Sequence, residues 1–416
     1  MRSSGPDASN LLISESNSNT LGFVQQDRWI FDFDNHFYEA EDAFTRYQDR
    51  SLRQRGVRWA EIEGKRRLIV GGRVNTYIAN PVFDPVAKPG SLYDWYRGNP
   101  HQQTITEAFG ELEPIRPEYR DRDARLALMD QQGLAGMLLF PTLGVGMEDA
   151  LKHDPYACAK VFEAFNKWLA DDWGYAYQNR IFAVPTVPLL DADAAAVELR
   201  RLIDAGAVAV NVRSAPVPVP GGFRSPFDPV YDAFWGLAAE SGIAVATHAG
   251  VDGYDSLVQM WEPGDGESSL FRTPLRGIVT KGRAVSDFFA AAICHRIFER
   301  FPALRLASVE SGASWAPDLL HRLDDAANRN PGYFAQHPRE VFGEHVWITP
   351  FWEDHIDDLV PDVRIDRLLL GSDWPHAEGV RQPADFITES LGGLAEADVR
   401  RVARDNALDV LRVAVA

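Results

Sequence analysis

Along the chain, short apolar runs rich in β-branched residues alternate with longer segments whose apolar positions recur at helical spacing. The runs are 30–34 IFDFD, 134–140 LAGMLLF, 181–187 IFAVPTV, 207–212 AVAVNV, 243–248 IAVATH, 304–309 LRLASV, 345–349 HVWIT and 367–372 RLLLGS. Between them stand helical patterns such as RDARLALMDQQG, DADAAAVELRRLIDAG and WAPDLLHRLDDAANR, and Asp191 and Gly206 supply a start and a stop signal for the second of these. Near-continuous apolar strands suit a parallel sheet covered on both faces, so eight of them, each followed by a helix or long loop, predict an α/β chain of the TIM (β/α)8 barrel type. A doubly wound open sheet is the alternative. It would carry a glycine-rich nucleotide fingerprint after the first strand, where DNHFYEAED stands instead.

Two stretches break the alternation. Residues 51 to 120, with many Pro, Gly and aromatic residues, are too long for an ordinary connection and read as an insertion over the barrel mouth or at an oligomer contact. Residues 250 to 284 are a second excursion of this kind. The expected organisation is a polar, disordered tail over 1–28 followed by one barrel domain over 29–416.

Bulk properties narrow the partners. Sixty acidic against 42 basic residues give a formal charge of -18, which opposes binding to nucleic acid or an anionic membrane surface. The two cysteines, Cys158 and Cys294, form no CxxC pattern, so neither a disulfide framework nor a thiolate zinc site is expected. No stretch approaches the roughly 20 apolar residues of a spanning helix. A cytoplasmic protein acting on a small molecule is the expectation.

Candidate chemistry sits where a barrel puts it, at the carboxyl ends of different strands. Strand one ends in Asp34 and His36, strand five in His248, strand six in Glu310 and strand eight in Asp373. Asp34 and His36 are spaced i, i+2, so a strand points them the same way. Two imidazoles and two carboxylates suit one zinc, manganese or iron(II) ion with a position open for substrate, and Glu310 as a further ligand would favour manganese. Strand four ends without a lysine, which argues against a bridged pair of metals. Arg213, at the end of strand four, is a candidate for binding a substrate carboxylate. Trp374 and His376 are candidate pocket residues, and Trp59, Trp95 and Tyr96 in the insertion could roof the cavity.

The Asp34-x-His36 pair, His248, the GSDWPHAEG segment and the phrases LFPTLGVGMED and ICHRIFERFPALRLASVESGASW resemble the amidohydrolase superfamily. The resemblance is closest to the branch that includes aminocarboxymuconate semialdehyde decarboxylase and resorcylate-type decarboxylases, and it runs from FDFDNHFYEAEDAFTRY through RDNALDVL. It implies a distorted, metal-dependent eightfold barrel with Asp34, His36, His248 and Asp373 as ligands. Two departures stand out: strand one offers Asp-x-His where those decarboxylases carry His-x-His or Glu-x-His, and Glu310 stands where they carry a histidine. A hydrolase would use a metal-bound water with Asp373 or Glu310 as base. A decarboxylase would hold the substrate carboxylate on the metal and protonate a ring carbon. Glu310 tilts the expectation toward hydrolysis, with decarboxylation and a ligand-binding barrel without turnover as alternatives; a homo-oligomer, a dimer, is expected.

Overall fold

The computed structural model describes residues 28–262 and 273–415, so the expected tail lies outside the described residues except for Arg28. Two parallel sheets form its centre. In one, Ile30–Phe37, Leu134–Pro141 and Ile181–Ala183 lie side by side; in the other, Ala209–Asn211, Ala244–His248, Leu306–Val309 and Val346–Ile348 follow in that order. Every residue of these strands is buried, which is why their sequences are apolar runs without alternation. Single parallel bridges, Thr186–Asn211, Ile348–Leu368 and Asn35–Trp374, join the sheet edges.

The eighth expected strand, 367–372, is not a regular strand. Leu369 N donates to Ile348 O at 2.9 Å and Phe33 N to Leu370 O at 2.8 Å. Ser372 N, however, donates to the Asp32 carboxylate at 3.0 Å, so a side chain takes the place of the next ladder carbonyl. The segment is therefore bonded on both sides but broken as a strand just before Asp373.

Phe31, Phe33, Leu138, Phe140, Phe182, Ala246, Val309, Trp347 and Leu369 meet in one inner apolar cluster to which all eight segments contribute. Burying each phenylalanine contributes about 1.5–3 kcal/mol relative to exposure. Helices pack outside. Arg122–Gln132, Ala192–Asp204 and Trp315–Arg329 follow the helical patterns closely, and the Asp191 side chain caps its helix by accepting from Ala194 N.

The stretch expected to be an insertion is more ordered than its composition suggests. Within 51–120, Val57–Ile62, Lys65–Val70 and Arg73–Val74 form an antiparallel sheet. Its turns are Glu63-Gly64 and Gly71-Gly72, all four residues at positive φ, which is the two-residue hairpin geometry whose twist matches the strands.

Candidate metal centre

The first strand carries an irregularity that decides where its polar residues go. Between Asp32 and Asn35 the pairing with the second strand shifts: Asp32 faces Met137, yet Asn35 faces Leu139, three residues against two. An extra residue of this kind reverses the in-out phase of a strand. Phe31 and Phe33 join the inner cluster, and after the bulge Asp34 and His36 point to the same side, whereas Asp32 and Asn35 bond each other at 2.7 Å away from it. Simple alternation would have placed Asp32, Asp34 and His36 together.

Five side chains from the ends of four segments then converge. His36 Nε2 lies 3.2 Å from Asp34 Oδ1, 3.4 Å from Glu310 Oε2, 3.5 Å from Asp373 Oδ1 and 3.2 Å from His248 Nε2. His248 Nε2 is 3.4 Å from Asp34 Oδ1 and 3.1 Å from Glu310 Oε2. A single N–H cannot serve four neighbours, and two imidazole N–H groups cannot face each other. A cation at the centre serves all of them. Metal bonds of about 2.1 Å place neighbouring ligand atoms roughly 3.0 Å apart in octahedral geometry and roughly 3.4 Å apart in tetrahedral geometry, which is the spacing seen here. Asp34 Oδ1 is also buried without a well-aligned hydrogen-bond donor. The residues present thus fit one divalent metal ion, which Asp34, His36, His248 and Glu310 could hold, with Asp373 beside them.

The surroundings orient some of these ligands. His248 Nδ1 lies 2.8 Å from Ala249 O, so it is the protonated nitrogen, and Nε2 keeps its lone pair for the centre. His36 Nδ1 has no such partner; its ring is held by packing, 4.1 Å from the His376 ring and 6.2 Å from Phe140. Glu310 and Asp373 both adopt positive φ, 48° and 54°, a region costly for residues with a side chain and often found at functional sites.

Charge is concentrated here. Burial opposes ionisation of the His36 ring, but Asp34 and Glu310 together push it up to about 10. For Asp34 burial works upward, yet the close His248 and His36 imidazoles hold its carboxyl well below the usual range. Asp373 is pushed well up by burial and then by Glu310. Glu378 rises to about 7 from the same two causes in the same order. So many carboxylates crowded together are what a divalent cation would neutralise.

Beside the centre runs a hydrogen-bonded chain. The Thr142 hydroxyl donates to Phe37 O at 2.8 Å, so it accepts from His376 Nε2 at 2.9 Å, and His376 Nδ1 faces Asp373 Oδ1 at 2.6 Å. His376 is pulled well below the ordinary imidazole range by burial and by His36. Beneath the ligands lies a buried frame. Asp32 accepts from Asp34 N, Asn35 Nδ2, Ser372 N and the Ser372 hydroxyl. Arg125 bonds Asn35 Oδ1 and His36 O and stacks 4.7 Å from Trp374. The strand-end pattern alone does not point to this frame, although FDFDNH carries a signal of it, since Asp32 shares the spacing of Asp34 and His36.

The secondary candidates fall differently from expectation. Trp374 is buried beneath the site between Arg125 and Tyr119, away from the cavity, because its ring is needed to stack on the guanidinium. Arg213 donates to Val251 O and to Asp149 Oδ1 at 2.8 Å each, tying the loop after strand five to that after strand two. His376 sits in the hydrogen-bonded chain between Thr142 and Asp373. Trp59 donates to Glu41 O at 2.6 Å under Arg66 and lies away from the cavity lining. Trp95 and Tyr96 do line a cavity of about 1400 Å³ that opens over Asp34, Glu310 and Asp373.

A sequence profile of the family described as Amidohydrolase matches residues 99–413. The chain belongs to the amidohydrolase family. Consistent with that, it is 39% identical to an amidohydrolase of solved structure from Mycobacterium avium subsp. paratuberculosis K-10, covering 92% of this chain and 98% of that one with a TM-score of 0.87. It is also 26% identical over 298 residues to the gamma-resorcylate decarboxylase of Rhizobium sp. (strain MTP-10005), covering 69% of this chain and 85% of that protein. The dihydroxybenzoic acid decarboxylase of Polaromonas sp. JS666, solved with bound manganese and 2-nitroresorcinol, shares the fold at 18% identity and a TM-score of 0.57, covering 77% of this chain and 93% of that one. This member of the family is therefore an enzyme of the metal-dependent hydrolase or carboxy-lyase class. Among its described residues no helix is long and apolar enough to cross a membrane.

Proposed function

We propose that this amidohydrolase-family enzyme is a non-oxidative decarboxylase of aromatic hydroxy acids. The observation that carries the reading is the similarity to gamma-resorcylate decarboxylases over 85% of their length. It outweighs the pull toward hydrolysis exerted by Glu310 alone. The two parallel sheets, bridged at their edges around one inner cluster, support a distorted eightfold barrel. Residues 51–120 supply part of a wall over its mouth through Trp95 and Tyr96.

In this reading Asp34, His36, His248 and Glu310 would hold one manganese or zinc ion, which would supply positive charge to offset that of the substrate carboxylate. Asp373, paired with His376, delivers a proton to the ring carbon that bears the carboxylate. The carbon–carboxylate bond then breaks, its electron pair returns to the ring, and carbon dioxide leaves. Asp373 recovers its proton through His376 or from solvent. The inner cluster beneath the site keeps water from the ring carbon's far side.

The test is incubation of manganese- or zinc-reconstituted protein with 2,6-dihydroxybenzoate and related acids, measuring carbon dioxide and the phenolic product. In deuterated water the product should carry one deuterium at the former carboxyl position. Hydrolysis of lactones or amides without carbon dioxide release from any hydroxy acid would overturn the reading and return Glu310 to the role of base for a metal-bound water.

A further inference from the structure

The cavity over the metal ligands is far larger than a one-ring acid requires. Its volume is about 1400 Å³, whereas pockets of about 300–1000 Å³ already enclose drug-sized molecules. Its outer wall is aromatic. Trp95 and Tyr96 approach from the insertion, their rings 5.1 Å apart and edge to face. Phe351 and Trp352 approach from the loop after strand seven, with Lys281 Nζ 5.7 Å from the Phe351 ring and Trp352 stacked 4.7 Å from Tyr93. Flat faces of this kind reward flat partners with offset stacking in addition to area burial.

The charge of the same wall sets a limit on the ligand. Besides Asp34, Glu310 and Asp373, the lining carries the carboxylates of Asp252, Glu353 and Glu378 against the single lysine ammonium of Lys281, and no arginine among the described residues. A divalent ion would offset part of the inner set, but in the outer set Lys281 alone stands against Asp252, Glu353 and Glu378, so a second substrate carboxylate meets an excess of negative charge. Like charges inside a partly desolvated cavity repel strongly. A hydroxyl on an outer ring, in contrast, finds carboxylate acceptors there.

Building on the decarboxylase reading, we propose that the substrate is a fused or linked aromatic hydroxy acid of two or more rings bearing a single carboxylate. Its carboxylated ring sits over Asp34, Glu310 and Asp373, and its outer ring stacks against Trp95 and Phe351 with any hydroxyl turned to Glu353 or Glu378.

Binding, which needs no bond cleavage, tests this apart from the reaction. Calorimetry on the full chain reconstituted with manganese would compare 2-hydroxybenzoate, 1-hydroxynaphthalene-2-carboxylate and a hydroxybenzene dicarboxylate. The two-ring acid should bind at least tenfold more tightly than the one-ring acid, and the dicarboxylate at least tenfold more weakly. Trp95→Ala, at a partly exposed position, should bring the one- and two-ring affinities within threefold of each other. Glu378→Gln should recover much of the dicarboxylate loss. Equal affinity for one and two rings, or an undiminished ring preference in Trp95→Ala, would overturn the proposal. Ring-dependent binding without carbon dioxide release would sink the reaction while the ligand class stood. Rapid turnover of one-ring acids without ring preference would do the reverse.

Discussion

The floor of the cavity and its outer wall are built by opposite means. Asp34, His36 and His248 stand at strand ends, buried to within a few per cent, on backbones pinned by Asp32, Arg125 and the neighbouring strands. Trp95, Tyr96, Phe351 and Lys281 stand on loops and short helices with partial exposure and few polar partners. The difference teaches a division of labour: a rigid floor can hold metal ligands to a few tenths of an ångström, as chemistry demands, whereas a loop wall can change side chains without disturbing that geometry. The reaction class should follow the floor and the choice of substrate the wall.

Substitutions in the floor should therefore have large effects. His248→Ala removes a candidate ligand that three other donor atoms surround, so elemental analysis should find metal falling from about one ion per chain to a small fraction, with turnover falling at least a hundredfold. Full metal occupancy in that variant would break the floor as drawn. Glu310→Gln keeps size and shape but loses charge. It should lower turnover by about two to four orders of magnitude, the usual worth of an acid-base or charge-stabilising group, and a simultaneous fall in metal content would mark it as a ligand. Normal metal with near-normal turnover would remove Glu310 from the chemistry.

Asp32→Ala tests the frame without touching the centre. It strands the donors on Asp34, Asn35 and Ser372, so the metal dissociation constant should rise about 10–100-fold and chemical denaturation should show a loss of about 3 kcal/mol or more. Unchanged metal affinity with reduced stability would make the frame purely structural.

The smallest effect is expected away from the floor, at Glu148. Burial pushes its carboxyl up to about 7, although Arg213 pulls the other way. The folded chain thus keeps a proton that the unfolded chain releases near its ordinary value of 4.5. Its contribution to stability is complete below about pH 4.5, declines as pH rises to about 7 and is flat above. Glu148→Gln should remove that slope, matching the parent protein near pH 5 and exceeding it in denaturation midpoint near pH 8. A parent-like slope in the variant would show that Glu148 is not its source.

Much of this was legible in the chain because the informative signals are local. Apolar runs marked seven strands, Asp191 and Gly206 bounded a helix, and the ligand types at strand ends marked Asp34, His36, His248, Glu310 and Asp373 as belonging together. Side-chain type and short-range spacing are properties of the sequence itself. Three features depended on contacts between distant residues. The bulge that turns Asp34 and His36 inward while leaving Asp32 outside arises from pairing with a strand a hundred residues away. The break in the eighth segment comes from Asp32 capturing Ser372. The withdrawal of Trp374 from the cavity comes from stacking on Arg125. Strand register, burial and the summed field of neighbouring carboxylates exist only once the chain has closed on itself, so periodicity could name the residues of the centre, and only tertiary structure could set their distances and charge.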